Sequence, residues 1–360
     1  MVNTVQLQFS YIKRTLFFRF DAGTSRGVLK TRDVWWIKAF DPKNPQIIGW
    51  GEAAPLVKLS LDYREDFESI LEDTLREMNG EIWNIDQNSV LFKLKDLIAT
   101  EIPAIRFGLE TAILDWINGG KKRILTNDFF DVQKPIPING LIWMGDRDFM
   151  LEQIDQKLNE GFNCIKMKIG AIDFEQEIEL LDYIRTRFSA EKITLRVDAN
   201  GAFSPLEAMK KLERLAEFGI QSIEQPIPAG NWDEMAKLCA VTPLAIALDE
   251  ELIGVREKKE LLDLIQPQHI ILKPTLVGGI LETQEWINLA EERNIGWWMT
   301  SALESNIGLN AIAQLASTFG SAIPQGLGTG KLYHNNLESP LEIQSGFIRY
   351  NPEKSWETPS

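Results

Sequence analysis

The sequence predicts an α/β protein: a (β/α)8-type TIM barrel with an N-terminal α+β capping domain. Three observations point there. From residue 135 onward, short β-branched or apolar runs alternate with amphipathic stretches of helical period. The alternation is regular. Lys166-Met-Lys168, Asp198-Ala-Asn200, Glu224-Gln-Pro226, Asp249-Glu250 and Lys273-Pro274 each close such a run. Counted from Lys168, the residues Asp198, Glu224, Asp249 and Lys273 follow at intervals of 30, 26, 25 and 24 residues, about one βα unit each. Before residue 100 the order is different, with strands first and helices after, as in an α+β unit.

Taken in chain order, residues 5–20 and 27–40 are rich in aromatic and β-branched residues and partly alternate, as strands do. Residues 47–50 make a third strand, closed by Gly51-Glu-Ala-Ala-Pro55. A helix is predicted over 63–78, with Phe67, Ile70, Leu71 and Leu75 on one face. More helix is expected at 89–98 and 104–118. Residues 1–100 therefore read as the capping domain, with a helical linker to about 134. Residues 135–330 read as the barrel, and 331–360 as a C-terminal segment returning to the capping domain.

Barrel strands are expected at 136–142, 164–169, 193–197, 222–224, 244–248, 269–272, 296–300 and 323–325. Helices such as 174–187, 205–218 and 279–293 lie between them. Pro205 suits the first turn of its helix, with Ser204 as N-cap. An eighth helix is not evident. A doubly wound sheet would also alternate, but would more often carry a Gly-rich phosphate loop after its first strand, and none is present. The polar tail after Asn351 is expected to fray.

At 360 residues, 44% hydrophobic and 25% charged, the chain has enough material for a large core and two domains. No apolar run approaches the ~18–20 residues of a membrane span, and the N-terminus reads as a strand and not as a signal peptide. The expectation is a cytoplasmic protein with no membrane partner. Cys164 and Cys239 are the only cysteines and have neither metal nor redox spacing, so they read as reduced, partly buried thiols. A net charge of −14 without a basic patch excludes nucleic acid as a partner. A homo-oligomer stays open.

Asp198, Glu224 and Asp249 each fall where a strand ends, and such ends converge on one mouth of a barrel. Three carboxylates brought together repel, and a divalent cation resolves the repulsion. Oxygen-only ligands point to Mg²⁺, with Mn²⁺ as a substitute, and not to Zn²⁺. The bland alternative places these acids on the surface at helix N-termini, where they favour the dipole. A single acid fits that description as well; three in register with two lysine motifs do not.

Lys166 and Lys168 lie two apart on one strand and share a face. Ile165, Met167 and Ile169 share the other, which would pack against helices, so the lysines face the barrel interior. An amine there is costly unless compensated, and a neighbouring ammonium and a metal are both expected to depress its pKa towards a usable base. Lys273 ends the sixth strand, across the mouth; snorkelling to solvent is its bland alternative. Together these groups imply proton abstraction beside a carboxylate, with the metal stabilising the resulting enediolate. Of the two histidines, His269 is expected at the wrong end of the barrel. Lysine acid–base chemistry is therefore favoured.

This set of motifs resembles the enolase superfamily, in its muconate-lactonising subgroup, over nearly the whole chain. Gly49-Trp-Gly-Glu-Ala-Ala-Pro55 is similar to the capping segment that closes over that family's active site. Reactions in the subgroup include o-succinylbenzoate synthesis, dipeptide epimerisation, N-succinylamino-acid racemisation and muconate cycloisomerisation. Ile271-Leu-Lys-Pro-Thr-Leu-Val-Gly-Gly279, Thr300-Ser-Ala-Leu-Glu-Ser305 and Gly326-Leu-Gly-Thr-Gly330 are similar to the o-succinylbenzoate-forming members. Dipeptide epimerases typically carry Asp-x-Asp on the eighth strand to hold a substrate ammonium, and Gly326–Gly330 has no carboxylate. Glu251 stands where relatives often have serine, a departure expected to touch specificity more than metal binding.

The resemblance implies a lyase that dehydrates 2-succinyl-6-hydroxy-2,4-cyclohexadiene-1-carboxylate on the route to menaquinone, through an enediolate. It implies Mg²⁺ on Asp198, Glu224 and Asp249. Lys168 would take and return the proton, Lys273 would stabilise the planar anion by charge and cation–π attraction, and Lys166 would tune Lys168 and contact the carboxylate. Arg196 and Asn200, in phase with Asp198, are candidate substrate or supporting contacts. Thr300, Ser301 and Gly326 are candidate lining of the succinyl pocket. An N-succinylamino-acid racemase or dipeptide epimerase is the alternative, with Lys273 as second base. A non-catalytic, metal-binding structural barrel is the reading from another class, and buried amines weigh against it. Candidate lids are residues 21–27 and the segment after Gly51.

Overall fold

The computed structural model describes residues 4–24, 27–321 and 323–360. Its N-terminal part is a three-stranded antiparallel sheet of Gln8–Thr24, Gly27–Asp41 and Asn44–Ala53. The two-residue period of the middle strand explains how this sheet is used. Trp35, Ile37 and Ala39 point to one face and pack with Phe67, Leu71 and Leu75 of the helix Phe67–Met78. Val34 and Trp36 point to the other and pack with Leu303, Ile307 and Tyr333 from the barrel side. Both faces are therefore buried, which a sheet of this composition requires.

Several boundaries differ from the sequence reading: the first long strand runs on to Thr24, and the third is extended at both ends to Asn44–Ala53. The first strand is split at Leu7, and its Thr4–Gln6 piece pairs with Ile82–Asn84. The first helix starts at Phe67, four residues late, with Asp66 at its N-cap.

The helix Pro103–Ile117 joins the two parts and is buried over most of its circumference. Ile105, Leu109 and Ile113 enter the N-terminal core, whereas Phe107 and Leu114 enter the barrel core. It lies close against the strand Asn44–Ala53. A Cβ on Gly51 would collide with the carbonyl oxygen of Gly108, so only glycine permits that approach.

Among the described residues, the barrel consists of seven parallel strands in chain order: Gly140–Ile142, Cys164–Lys168, Thr194–Asp198, Ser222–Glu224, Ile246–Leu248, His269–Leu272 and Gly296–Met299. Residues 323–325 do not form the expected eighth strand. Single parallel bridges, Gln325 to Ile138 and Gly326 to Thr300, join the two edges of the curled sheet instead. The eighth helix is replaced by the short 3-10 turn Gly328–Lys331. The stretch 136–142 is not one strand either. Ile136–Pro137 pairs with Phe347–Tyr350, which forms an antiparallel hairpin with Leu341–Gln344, and only Gly140–Ile142 enters the barrel.

Just after the 3-10 turn, the chain meets the N-terminal sheet through Arg19 N–H to Leu332 O (2.9 Å) and His334 N–H to Phe17 O (2.9 Å). The tail is tied down, contrary to expectation. Glu357 N–H donates to Glu338 O at 3.0 Å, and Trp356 lies under the Lys122 ammonium. Ser204 precedes its helix as expected, but its hydroxyl bonds Glu207 at 2.7 Å and makes no cap bond. Cys164 and Cys239 are buried free thiols. Among the described residues, no helix is long and apolar enough to cross a membrane.

Candidate active site

Sheet register brings the motif residues together. Lys168 lies beside Asp198 on the next strand, and Asp198 lies beside Glu224 on the one after. Asp249 and Lys273 directly follow the next two strands. The Lys166 ammonium bridges Asp198 Oδ2, at 3.0 Å, and Glu224 Oε2. Lys168 Nζ donates to Asp198 Oδ2 at 3.0 Å and to Asn200 Oδ1 at 2.7 Å. Asn200 is itself held, its N–H on Asp198 Oδ1 (3.0 Å) and its amide on Glu250 Oε1 (3.0 Å). Lys273 pairs with Asp249 across the same mouth.

A cavity of about 690 Å³ opens over these groups. Lys166, Lys168, Asp198, Asn200, Glu224 and Lys273 line its floor, and Thr300, Ser301 and Gly326 line one wall. Ser301 is less available than its position indicates, because its hydroxyl donates to Glu304 Oε2 at 2.5 Å. The N-terminal part supplies the roof: Arg19, Phe20 and Thr24 from the hairpin, and Leu56 and Leu59 from the segment after Gly51. Gly23 bridges Met144 at the barrel mouth. Of the candidate lid 21–27, Ser25 and Arg26 lie outside the described residues. The roof residues carry no motif, and only the lid positions hinted at them.

Burial and charge compete strongly here. Burial presses the Lys166 amine towards neutrality, but Asp198, Glu224 and Asp249 outweigh it and hold its pKa above that of ordinary lysine. Lys273 behaves the same way, with Asp249 first among the acids. At these two lysines direct contact with carboxylates exceeds repulsion between ammonium groups. Burial disfavours the Asp198 carboxylate, yet Lys166, Lys168 and Lys273 hold it well below the usual range. Glu224 goes the other way: burial and then Asp198 push it well up.

Among the described residues, no three acidic, histidine or cysteine side chains stand in ligating geometry, because ammonium groups lie between the acids. The donor chemistry nonetheless fits a hard divalent cation. Three carboxylates end consecutive strands, a positive charge already bridges two of them, and Glu224 Oε1 is buried without a donor.

One expected contact is corrected. Arg196 is in phase with Asp198 but two residues deeper, about 7 Å down the barrel axis. Its guanidinium donates to Gln221 Oε1 (2.9 Å) and Pro324 O (2.8 Å) and stacks 4.1 Å above the Trp298 ring. It holds the barrel floor and does not line the cavity. His269 lies at the same depth, where burial and Arg196 press its pKa down to about 4.

The capping segment acts by a bond that the motif did not reveal. Glu52 is buried and accepts Ser305 N–H (2.8 Å) and Gly308 N–H (2.9 Å), which cap the barrel helix Asn306–Phe319.

Residues 150–354 match the family described as Enolase C-terminal domain-like. An o-succinylbenzoate synthase from Desulfotalea psychrophila is 46% identical over 95% of this chain and 98% of its own length. The crystal structure of MenC from the same organism superposes with a TM-score of 0.84 at 42% identity, covering 96% of this chain and 99% of that one. An L-Ala-D/L-Glu epimerase from Bacillus subtilis has the same fold, with a TM-score of 0.83 at 19% identity and 96% of each chain covered. The chain belongs to the enolase superfamily, and within it to the o-succinylbenzoate synthase family. Enzymes of this superfamily use a divalent metal, typically Mg²⁺.

Proposed function

We propose that this chain dehydrates 2-succinyl-6-hydroxy-2,4-cyclohexadiene-1-carboxylate to o-succinylbenzoate, a step towards menaquinone. The observation that carries the reading is Lys168 and Lys273 on the floor of one cavity with Asp198 and Glu224. Asp198, Glu224 and Asp249 are the residues that would hold Mg²⁺, with Mn²⁺ as a substitute. Bound there, the ion supplies positive charge against the substrate's ring carboxylate and the negative charge that grows on it.

The chain's own groups do the rest. Lys168, aimed by Asn200 and Asp198, removes the proton from the ring carbon beside the carboxylate. The ammonium so formed returns that proton to the departing hydroxyl. Water leaves and the ring becomes aromatic, with no electrons gained or lost. Lys273 faces the planar anion with its positive charge. Lys166 keeps a second positive charge beside Lys168 and Asp198. Thr300, Ser301 and Gly326 wall the succinyl arm, and the apolar roof of Phe20, Leu56 and Leu59 excludes water. The reading carries a cytoplasmic location and a small-molecule carboxylate as the partner.

The test is product identity. Purified protein with Mg²⁺ and substrate should yield o-succinylbenzoate by mass spectrometry. Substrate recovered intact from folded, metal-loaded protein would overturn the proposal.

A further inference from the structure

We infer that Glu251 is a positioning residue: with Gln225 it forms a buried clasp that sets Glu224 and Asp249 relative to each other, and so sets affinity for a divalent metal. The inference rests on the metal role proposed for those two acids.

Gln225 directly follows Glu224 and is 0% exposed. Its side-chain oxygen accepts the backbone N–H of Asp249 at 3.2 Å and of Glu251 at 3.4 Å. Its side-chain amide donates to Glu251 Oε2 at 2.9 Å and to Ile227 O at 3.0 Å. Glu251, 3% exposed, uses its second oxygen to accept Gly230 N–H at 2.7 Å. The circuit runs from the end of the Glu224 strand, through the loop 225–230, to the end of the strand before Asp249. Each of its polar atoms is used.

The chemistry selects these two residue types. Gln225 must accept on one side and donate on the other, which an amide does and a carboxylate does not. Glu251 must accept twice, from points on two different segments. A serine at 251 would have one short hydroxyl and would not span them. Gln225 also sits at φ 38°, a left-handed conformation costing about 1–2 kcal/mol for such a residue. Strain of this kind persists only where surrounding bonds over-determine it, and the clasp provides those bonds.

Glu251 does not line the cavity, so it does not choose the substrate by contact. The expectation that this departure from serine touches specificity is replaced by a role behind the metal ligands. Groups that orient ligands from behind commonly change metal affinity by about 10–100-fold when removed.

The experiment is calorimetric titration of Mg²⁺ into the full chain, far below its unfolding temperature. Wild type is compared with Glu251→Ser, Glu251→Gln, Asp249→Asn and the exchange pair Gln225→Glu/Glu251→Gln. Glu251→Ser should raise Kd about tenfold. Glu251→Gln keeps one acceptor and should raise it less. The exchange pair restores the bond between the two side chains with reversed polarity but leaves Ile227 O without its donor, so it should recover only part of the loss. The metal concentration giving half-maximal activity should rise in parallel. Glu251→Gln alone carries the comparison if Glu251→Ser does not fold. Folded Glu251 variants with wild-type Kd and only a lowered Tm would overturn the clasp alone, provided Asp249→Asn loses binding. A wild type that takes up no Mg²⁺ would overturn the metal reading and the clasp together.

Discussion

Glu52 accepts the backbone N–H of Ser305 at 2.8 Å, a bond that runs from the N-terminal sheet to the first turn of a barrel helix. Trp36 Nε1 donates to the Ser305 hydroxyl at 3.0 Å from the same sheet. The roof of the cavity is carried by this sheet, so the contact fixes roof to floor. Glu52→Ala strands the N–H groups of Ser305 and Gly308 in a buried site. It should cost about 3–5 kcal/mol of stability in urea unfolding. A loss below about 1 kcal/mol would show that the contact is dispensable.

Buried carboxyls make stability depend on pH. Burial raises the Glu110 pKa to about 8, against 4.5 when unfolded. Between those values the folded chain binds the extra proton, so stability falls as pH rises from about 4.5 to 8, by at most about 1.4 kcal/mol per pH unit. Below about 4.5 both states are protonated, so the contribution is fully present and no longer changes with pH. Glu110→Gln mimics the protonated form and should gain on wild type steadily between pH 5 and 8 in Tm measurements. Parallel curves would contradict this.

Lys168→Ala should fold and bind metal, yet lose about 10²–10⁴-fold in kcat. Circular dichroism checks the fold, and steady-state kinetics check the rate. An unchanged rate removes Lys168 from the mechanism.

Arg196→Met separates phase from depth. Loss of two part-buried hydrogen bonds and the stack on Trp298 should cost about 2–4 kcal/mol, while KM stays at the wild-type value. A raised KM with unchanged stability would return Arg196 to the substrate.

These cases show what a sequence carries. Lys168, Asp198 and Glu224 were legible because strand ends converge and their spacing repeats. Arg196 was misread because alternation gives the face of a strand and not the height along it. Residues 136–142 were read as one strand because Ile136, Ile138 and Ile142 fall at even spacing across Asn139-Gly140, where the chain in fact changes partners. The partner that claims Ile136 is Ile348, more than two hundred residues away. Glu52 and Glu251 were visible as acids in motifs, but their work is to accept N–H groups from distant segments. No local pattern encodes that pairing. The roof over the cavity has the same cause: Leu56 and Leu59 meet the barrel only after folding.

The most direct measurement is the absorbance of the cyclohexadiene substrate on mixing with the folded protein, with Mg²⁺ and then with excess chelator. Prompt loss of the diene signal with Mg²⁺, abolished by chelation and restored by added metal, is the predicted result. A metal-loaded, folded protein that leaves the signal unchanged would contradict the central claim.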